Sequence, residues 1–180
     1  MRITFNAPFT LTFTILAALV LTFALLTNSN QELLVLHGDF TTNVWQSYIG
    51  IFLYPLKHAN VQHLAGNFGI ILLLCPILER KFGWKKLLGM CAATTVVIAI
   101  LHIIISDNNL IGASGLVFMF IVLSSLIDSK GKEIPLTFIL VAVLFLGQEI
   151  IGVFRHDAIS QMAHICGGAM GIGFRYLIRL

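Results

Sequence analysis

The chain of 180 residues is 58% hydrophobic and only 11% charged, with a mean hydropathy of +0.95. A soluble domain of this length cannot bury that much apolar surface, so the composition excludes a water-soluble protein and indicates an integral membrane protein. The formal net charge of +3 is too small to indicate a nucleic-acid partner. The three cysteines, an odd number spread over apolar stretches, argue against a disulfide framework.

Six apolar stretches are predicted to be transmembrane helices, since each approaches the roughly 20 residues that a bilayer requires. They cover residues 8–28, 62–79, 86–105, 111–127, 135–153 and 159–178. Residues 1–180 are therefore predicted to form a single all-α membrane domain. The first stretch is predicted to stay uncleaved, because its apolar core is longer than that of a signal peptide. The external loop 29–61 is too apolar for a solvated linker and is expected to fold against the membrane interface.

Positive charges predict the orientation of these helices, because cytoplasmic loops carry an excess of lysine and arginine. With six spans, only Lys57 and Arg155 of the 11 basic residues fall on the side opposite the two termini. Both termini are therefore predicted to be cytoplasmic.

Four polar side chains lie at a similar shallow depth beneath the external surface under this topology. They are His63, Asn67, Ser114 and His164. Each lies within the first turns of a helix that runs inward, no deeper than about 6–8 Å, a depth that water can reach through a cavity. Ionisable groups inside a bilayer are costly and indicate function.

These side chains have the chemistry of a serine hydrolase. A serine acts as a nucleophile when a base lies within hydrogen-bonding reach, and His164 is the candidate base for Ser114. Ser114 is also predicted to begin a helix, where free backbone N–H groups and the helix dipole favour an oxyanion. His63 and Asn67, four residues apart on one helix face, can donate further hydrogen bonds to that oxyanion.

Glycines accompany both candidate catalytic side chains. Gly112 and Gly115 flank the serine, and Gly112 is assigned a supporting place beside the oxyanion. Gly167 and Gly171 form a G-x-x-x-G motif after the candidate base. Such motifs let helix backbones approach closely, so the fourth and sixth helices are predicted to pack tightly.

Other interpretations of these residues stay open. A Gly-Ala-Ser-Gly run is commonly a packing contact, and the chain would then be a non-catalytic binder of transmembrane helices. The six histidines fall on or near the outer half, as a metal or haem site would require. No H-E-x-x-H motif or cysteine pair supports such a site, so no metal or cofactor is expected. Glu149 has no predicted partner, and residues 79–81 are interpreted as a charged collar at the inner surface.

Three motifs on three predicted helices resemble those of the rhomboid family of intramembrane serine proteases. Residues 112–115, Gly-Ala-Ser-Gly, resemble the family's G-x-S-G, and residues 63–67 resemble its H-x-x-x-N. Residues 163–171 are similar to its A-H-x-x-G-x-x-x-G. Residues 79–83, Glu-Arg-Lys-Phe-Gly, are similar to the family's exit from its second helix, and the resemblance covers residues from about 45 to 175.

The resemblance implies a six-helix intramembrane protease with a catalytic dyad and no acidic third member. Ser114 would be the nucleophile and His164 the base, and His63 and Asn67 would form the oxyanion hole with the serine N–H. The substrates would be single-pass membrane proteins in the lipid bilayer, cut in or near the outer part of their transmembrane segments. The fifth helix and the loop 152–160 would act as gate and cap. The expected location is the cytoplasmic membrane of a prokaryote, with the active site open to the outer face.

Two positions depart from the family pattern. A Trp-Arg pair often lies fourteen residues before the histidine of H-x-x-x-N, but Ile49-Gly50 is found there, with Trp45 nearby. The anchoring of the first external loop is therefore not explained by that pair. Phe118 replaces the tyrosine that commonly stacks on the catalytic histidine, so the ring can stack but donates no hydroxyl bond.

Overall fold

The computed structural model describes residues 6–41, 45–127, 129, 133–146 and 158–177. The α-helices in these ranges are α1 (Pro8–Thr27), α2 (Trp45–Leu53), α3 (Val61–Phe82), α4 (Trp84–Ile105), α5 (Ser114–Leu126), α6 (Leu136–Val141) and α7 (Ala158–Leu177). Short 3₁₀ turns at Glu32–Leu34 and Tyr54–Leu56 flank α2, and a π-helical turn at Ala142–Leu146 continues α6.

Three of these helices, α1, α3 and α4, are long and apolar enough to cross a membrane, and α5 is a shorter apolar helix. The prediction of an all-helical chain is confirmed for the described residues, whereas six spans and cytoplasmic termini stay predictions. The predicted fifth span, 135–153, is described only as α6 and its π-helical turn. Glu149 and most of the predicted cap, 152–160, lie outside the described residues.

Helix α5 is the centre of the bundle. Every residue from Gly115 to Leu123 is buried, as expected for a helix that is apolar on all sides and surrounded by others. Helices α3, α4 and α7 all pack against it, and α7 has the most extensive contact. Helix α6 also packs on α5, but its residues Leu136–Val141 include no buried side chain.

The predicted external loop, 29–61, contains a helix rather than an irregular linker. Helix α2 buries Ser47 and Gly50 against the protein and leaves Trp45, Tyr48 and Phe52 largely exposed. Gly50 is required there, because a Cβ atom would overlap the Val35 carbonyl oxygen. The aromatic residues of α2 thus face away from the bundle, which is compatible with the predicted contact with the membrane interface.

Glu79 is not part of a charged collar, and that interpretation was wrong for this residue. Its side chain is only 3% exposed and lies at the N-terminus of α1. The two carboxylate oxygens accept hydrogen bonds from the Phe9 N–H at 2.8 Å, the Thr10 N–H at 2.9 Å and the Thr10 hydroxyl at 2.8 Å. Helix α1 begins after Ala7, which has no capping side chain, so a carboxylate from α3 satisfies its free N–H groups.

Candidate active site

Ser114 is the first residue of α5 and is half-buried. The chain reaches it through Gly112, whose φ of +101° lies in the left-handed region that glycine adopts most readily. The Gly112 N–H donates to the Tyr54 carbonyl at 3.0 Å, which ties the turn to the 3₁₀ segment after α2. The first N–H groups of α5 have no acceptor within the helix, so they surround the serine as potential donors.

His164 lies on α7, directly opposite the start of α5. A Cβ atom on Gly167 would overlap the Gly115 carbonyl, and one on Gly115 would lie 3.2 Å from the Ala163 carbonyl oxygen. The two helix backbones therefore touch beside Ser114 and His164. The Phe118 ring stacks on the His164 imidazole, with centroids 4.2 Å apart and an interplanar angle of 8°.

Gly171 extends this close contact by one helical turn. A Cβ atom there would lie 2.8 Å from the Met119 carbonyl oxygen and 3.1 Å from the Val122 Cβ. The α5–α7 contact is close because three of its residues, Gly115, Gly167 and Gly171, have no side chain. The two helices therefore come together at the depth of the serine.

His63 and Asn67 both reach the turn that precedes Ser114. A Cβ atom on Gly112 would lie 2.9 Å from the His63 Nε2 atom and 3.6 Å from the Asn67 Nδ2 atom. The structure therefore brings candidate nucleophile, base and both side-chain donors to one end of α5.

His58 belongs to this cluster, although sequence reasoning did not select it. Its imidazole is 4% exposed, with Nδ1 3.2 Å from the Leu56 carbonyl oxygen and Nε2 3.0 Å from the Asn67 Nδ2 atom. Burial lowers the pKa of His58 to about 4; the bond to Leu56 opposes this shift and the nearby His63 adds to it. No local pattern distinguishes His58 from the other histidines, because its partners are set by the fold.

The first external segment is anchored to the serine turn without a Trp-Arg pair. Leu36 and Leu110 exchange two backbone hydrogen bonds, of 3.1 and 2.8 Å. Tyr54 is buried, and its hydroxyl donates to the Thr95 carbonyl at 3.4 Å. Gly38 packs directly on the backbone of Asp107. These contacts hold the segment against both ends of the α4–α5 connection.

The histidines do not form a recognisable metal centre in the part of the chain that the structure describes. There, no three His, Cys, Asp or Glu side chains are placed to hold a metal ion together. His102, which is fully buried, instead contacts the Asn108 carbonyl oxygen through Nε2 at 2.7 Å.

The family model of the rhomboid domain matches residues 42–180, a range that contains α2 to α7 and every residue of the candidate site. The chain therefore belongs to the rhomboid family and is an integral membrane protein. A search of curated proteins gave no significant match.

Proposed function

We propose that this protein is an intramembrane serine endopeptidase that cleaves single-pass membrane proteins in or near their transmembrane segments. The observation that carries the proposal is the meeting of three elements at the start of α5. The serine begins the helix, the histidine of α7 lies stacked on Phe118, and two side chains of α3 reach the Gly112 backbone. Family membership supports the same activity, since rhomboid proteins are generally intramembrane serine proteases.

The chemistry needs only side chains and backbone groups of this protein, together with water. Ser114 Oγ attacks the substrate carbonyl carbon while His164 accepts the hydroxyl proton and later returns it to the leaving amine. Water then hydrolyses the acyl-enzyme with the same histidine as base. Asn67, His63 and the free N–H groups at the start of α5 would stabilise the tetrahedral oxyanion. No cofactor, metal or nucleic acid takes part in this scheme.

The positive charges support an orientation in which both termini are cytoplasmic and the site opens to the outer face of a prokaryotic cytoplasmic membrane. Ser114 would then lie a short distance below that face, within reach of water for deacylation. The substrates that fit such a site are single transmembrane helices entering from the lipid bilayer. Their peptide bonds become accessible where small or helix-breaking residues loosen the helix.

The proposal is tested with purified wild type, Ser114→Ala and His164→Ala in liposomes that contain a model single-pass substrate. We expect cleavage by the wild type alone, with all three proteins folded by thermal melt. A fluorophosphonate probe should label wild-type Ser114 and leave Ser114→Ala unlabelled. Cleavage by all three proteins would refute the dyad, and a wild type that binds the substrate but neither cleaves nor labels would indicate a non-catalytic binder.

A further inference from the structure

We propose that His58 is a positioning residue of this site, because its Nε2 atom holds the Asn67 carboxamide with the amide nitrogen towards the turn before Ser114. The proposal rests on the proposed function for its catalytic consequence. The contact itself is independent of that function, since it joins the segment before α3 to α3 and involves no substrate.

The Leu56 carbonyl selects the tautomer of His58. A carbonyl oxygen can only accept, so the His58 Nδ1 atom, 3.2 Å away, must carry the proton. A neutral imidazole has one N–H group, and Nε2 is therefore a hydrogen-bond acceptor.

The tautomer in turn selects the orientation of the Asn67 amide. An acceptor at Nε2 requires a donor opposite it, and the Asn67 Nδ2 atom lies there at 3.0 Å. The reversed amide would place an oxygen lone pair against a nitrogen lone pair. One Nδ2 proton is used by His58, and the second remains for a substrate oxygen beside Gly112, whose Cβ position is 3.6 Å from Nδ2.

The surroundings of His58 keep the ring in place and neutral. It packs edge-on against His63 and Phe68, with centroids 5.0 and 5.6 Å away. Of the described titratable groups, His63 is the one in contact with the ring, and a charge on it opposes protonation of His58. A protonated His58 would present an N–H at Nε2, and the Asn67 amide would have to turn its oxygen towards His58. That rotation would move Nδ2 away from the turn before Ser114 and remove the donor from the oxyanion.

The kinetic test compares wild type, His58→Gln, His58→Phe and Asn67→Ala, and the double variant that joins the last two. His58→Phe should lower kcat about 10- to 100-fold with little change in KM, because a misplaced catalytic group costs up to about 10²-fold. His58→Gln should recover most of the activity, since its Oε1 atom can accept from Asn67. In the Asn67→Ala background, His58→Phe should have less than about twofold further effect.

The outcomes separate this proposal from a structural role and from the proposed function. Equal losses from His58→Phe in both backgrounds, or wild-type kcat in His58→Phe, would overturn it. If the wild type neither cleaves nor labels, the proposed function fails, and ¹⁵N NMR of His58 then decides the contact. We expect a protonated Nδ1 atom, and an Nε2 resonance that moves in Asn67→Ala. A protonated Nε2 atom in the wild type, or an unmoved resonance, would refute the contact.

Discussion

The Phe118 ring lies parallel to the His164 imidazole, and its six-membered face covers the five-membered ring. Such a contact limits rotation of the imidazole about its own axis. Aromatic pairs contribute about 0.5–1.5 kcal/mol, which corresponds to about two- to tenfold in rate. We expect Phe118→Ala to lower kcat by about that factor, whereas Phe118→Tyr keeps the ring and the activity. Cleavage rates of purified variants in liposomes check this, and an unchanged kcat in Phe118→Ala would contradict it.

The lowered pKa of His58 predicts that the stability of the protein depends on pH. Burial lowers its folded-state pKa from 6.5 to about 4, so the unfolded chain binds the proton first as pH falls. The free energy of unfolding contributed by His58 is therefore present above about pH 6.5 and is lost progressively towards pH 4. We expect the Tm of the wild type to fall more steeply across this window than that of His58→Gln. Melting temperatures are measured for both proteins at pH 7, 6, 5 and 4, and the same fall of Tm with pH in both would refute the effect.

Helices α5 and α7 depend on Gly167 for their contact. A Cβ atom there would overlap the Gly115 carbonyl, so Gly167→Ala must push the two backbones apart. Overpacking costs about 1–3 kcal/mol, and we expect a Tm several degrees lower. Gly173→Ala is the matched control, since the same helix leaves open space at that Cβ position. Thermal melts in detergent should leave Gly173→Ala at or above wild type, and equal loss in both variants would contradict the packing argument.

Helix α1 depends on a carboxylate from α3. Glu79→Gln replaces one acceptor oxygen by an NH2 group and leaves at least one N–H donor of α1 without a partner. A buried unsatisfied group costs about 1–3 kcal/mol, so the Tm should fall clearly. Glu32→Gln is the control, because Glu32 is 63% exposed and its contact with His37 is at the surface. If the two variants have the same Tm, the Glu79 carboxylate does not stabilise the bundle.

The first external segment and the serine turn form one unit at the scale of the whole molecule. The two segments are joined by hydrogen bonds that the amide N–H groups of Leu36, Leu110 and Gly112 donate from one segment to the other. Their hydrogen exchange should be slow and similar in rate, because each opens only when the segments separate. The amide of Leu34, which closes a local turn on Gln31, should exchange faster. A fast Leu36 amide beside a slow Leu110 amide would show that the segments move independently.

Much of the candidate site could be predicted because its members lie in short motifs on apolar helices. Ser114, His164, His63 and Asn67 have simple chemical roles and shallow positions that periodicity and charge bias place on one side. His58 could not be found in this way, since only the Leu56 carbonyl and the Asn67 amide give it a role. Glu79 was misplaced for a different reason, because its partners lie about seventy residues earlier in the chain.

The sequence by itself determined the class of molecule, its helical content and the family, because composition, apolar length and motif spacing are local properties of a chain. Only the tertiary structure decided which polar groups are buried and paired. The contact of α5 with α7, the cap on α1 and the docking of Leu36 on Leu110 each join residues distant in sequence. Such pairs depend on how whole helices pack, and packing is a property of the folded chain that no local pattern specifies.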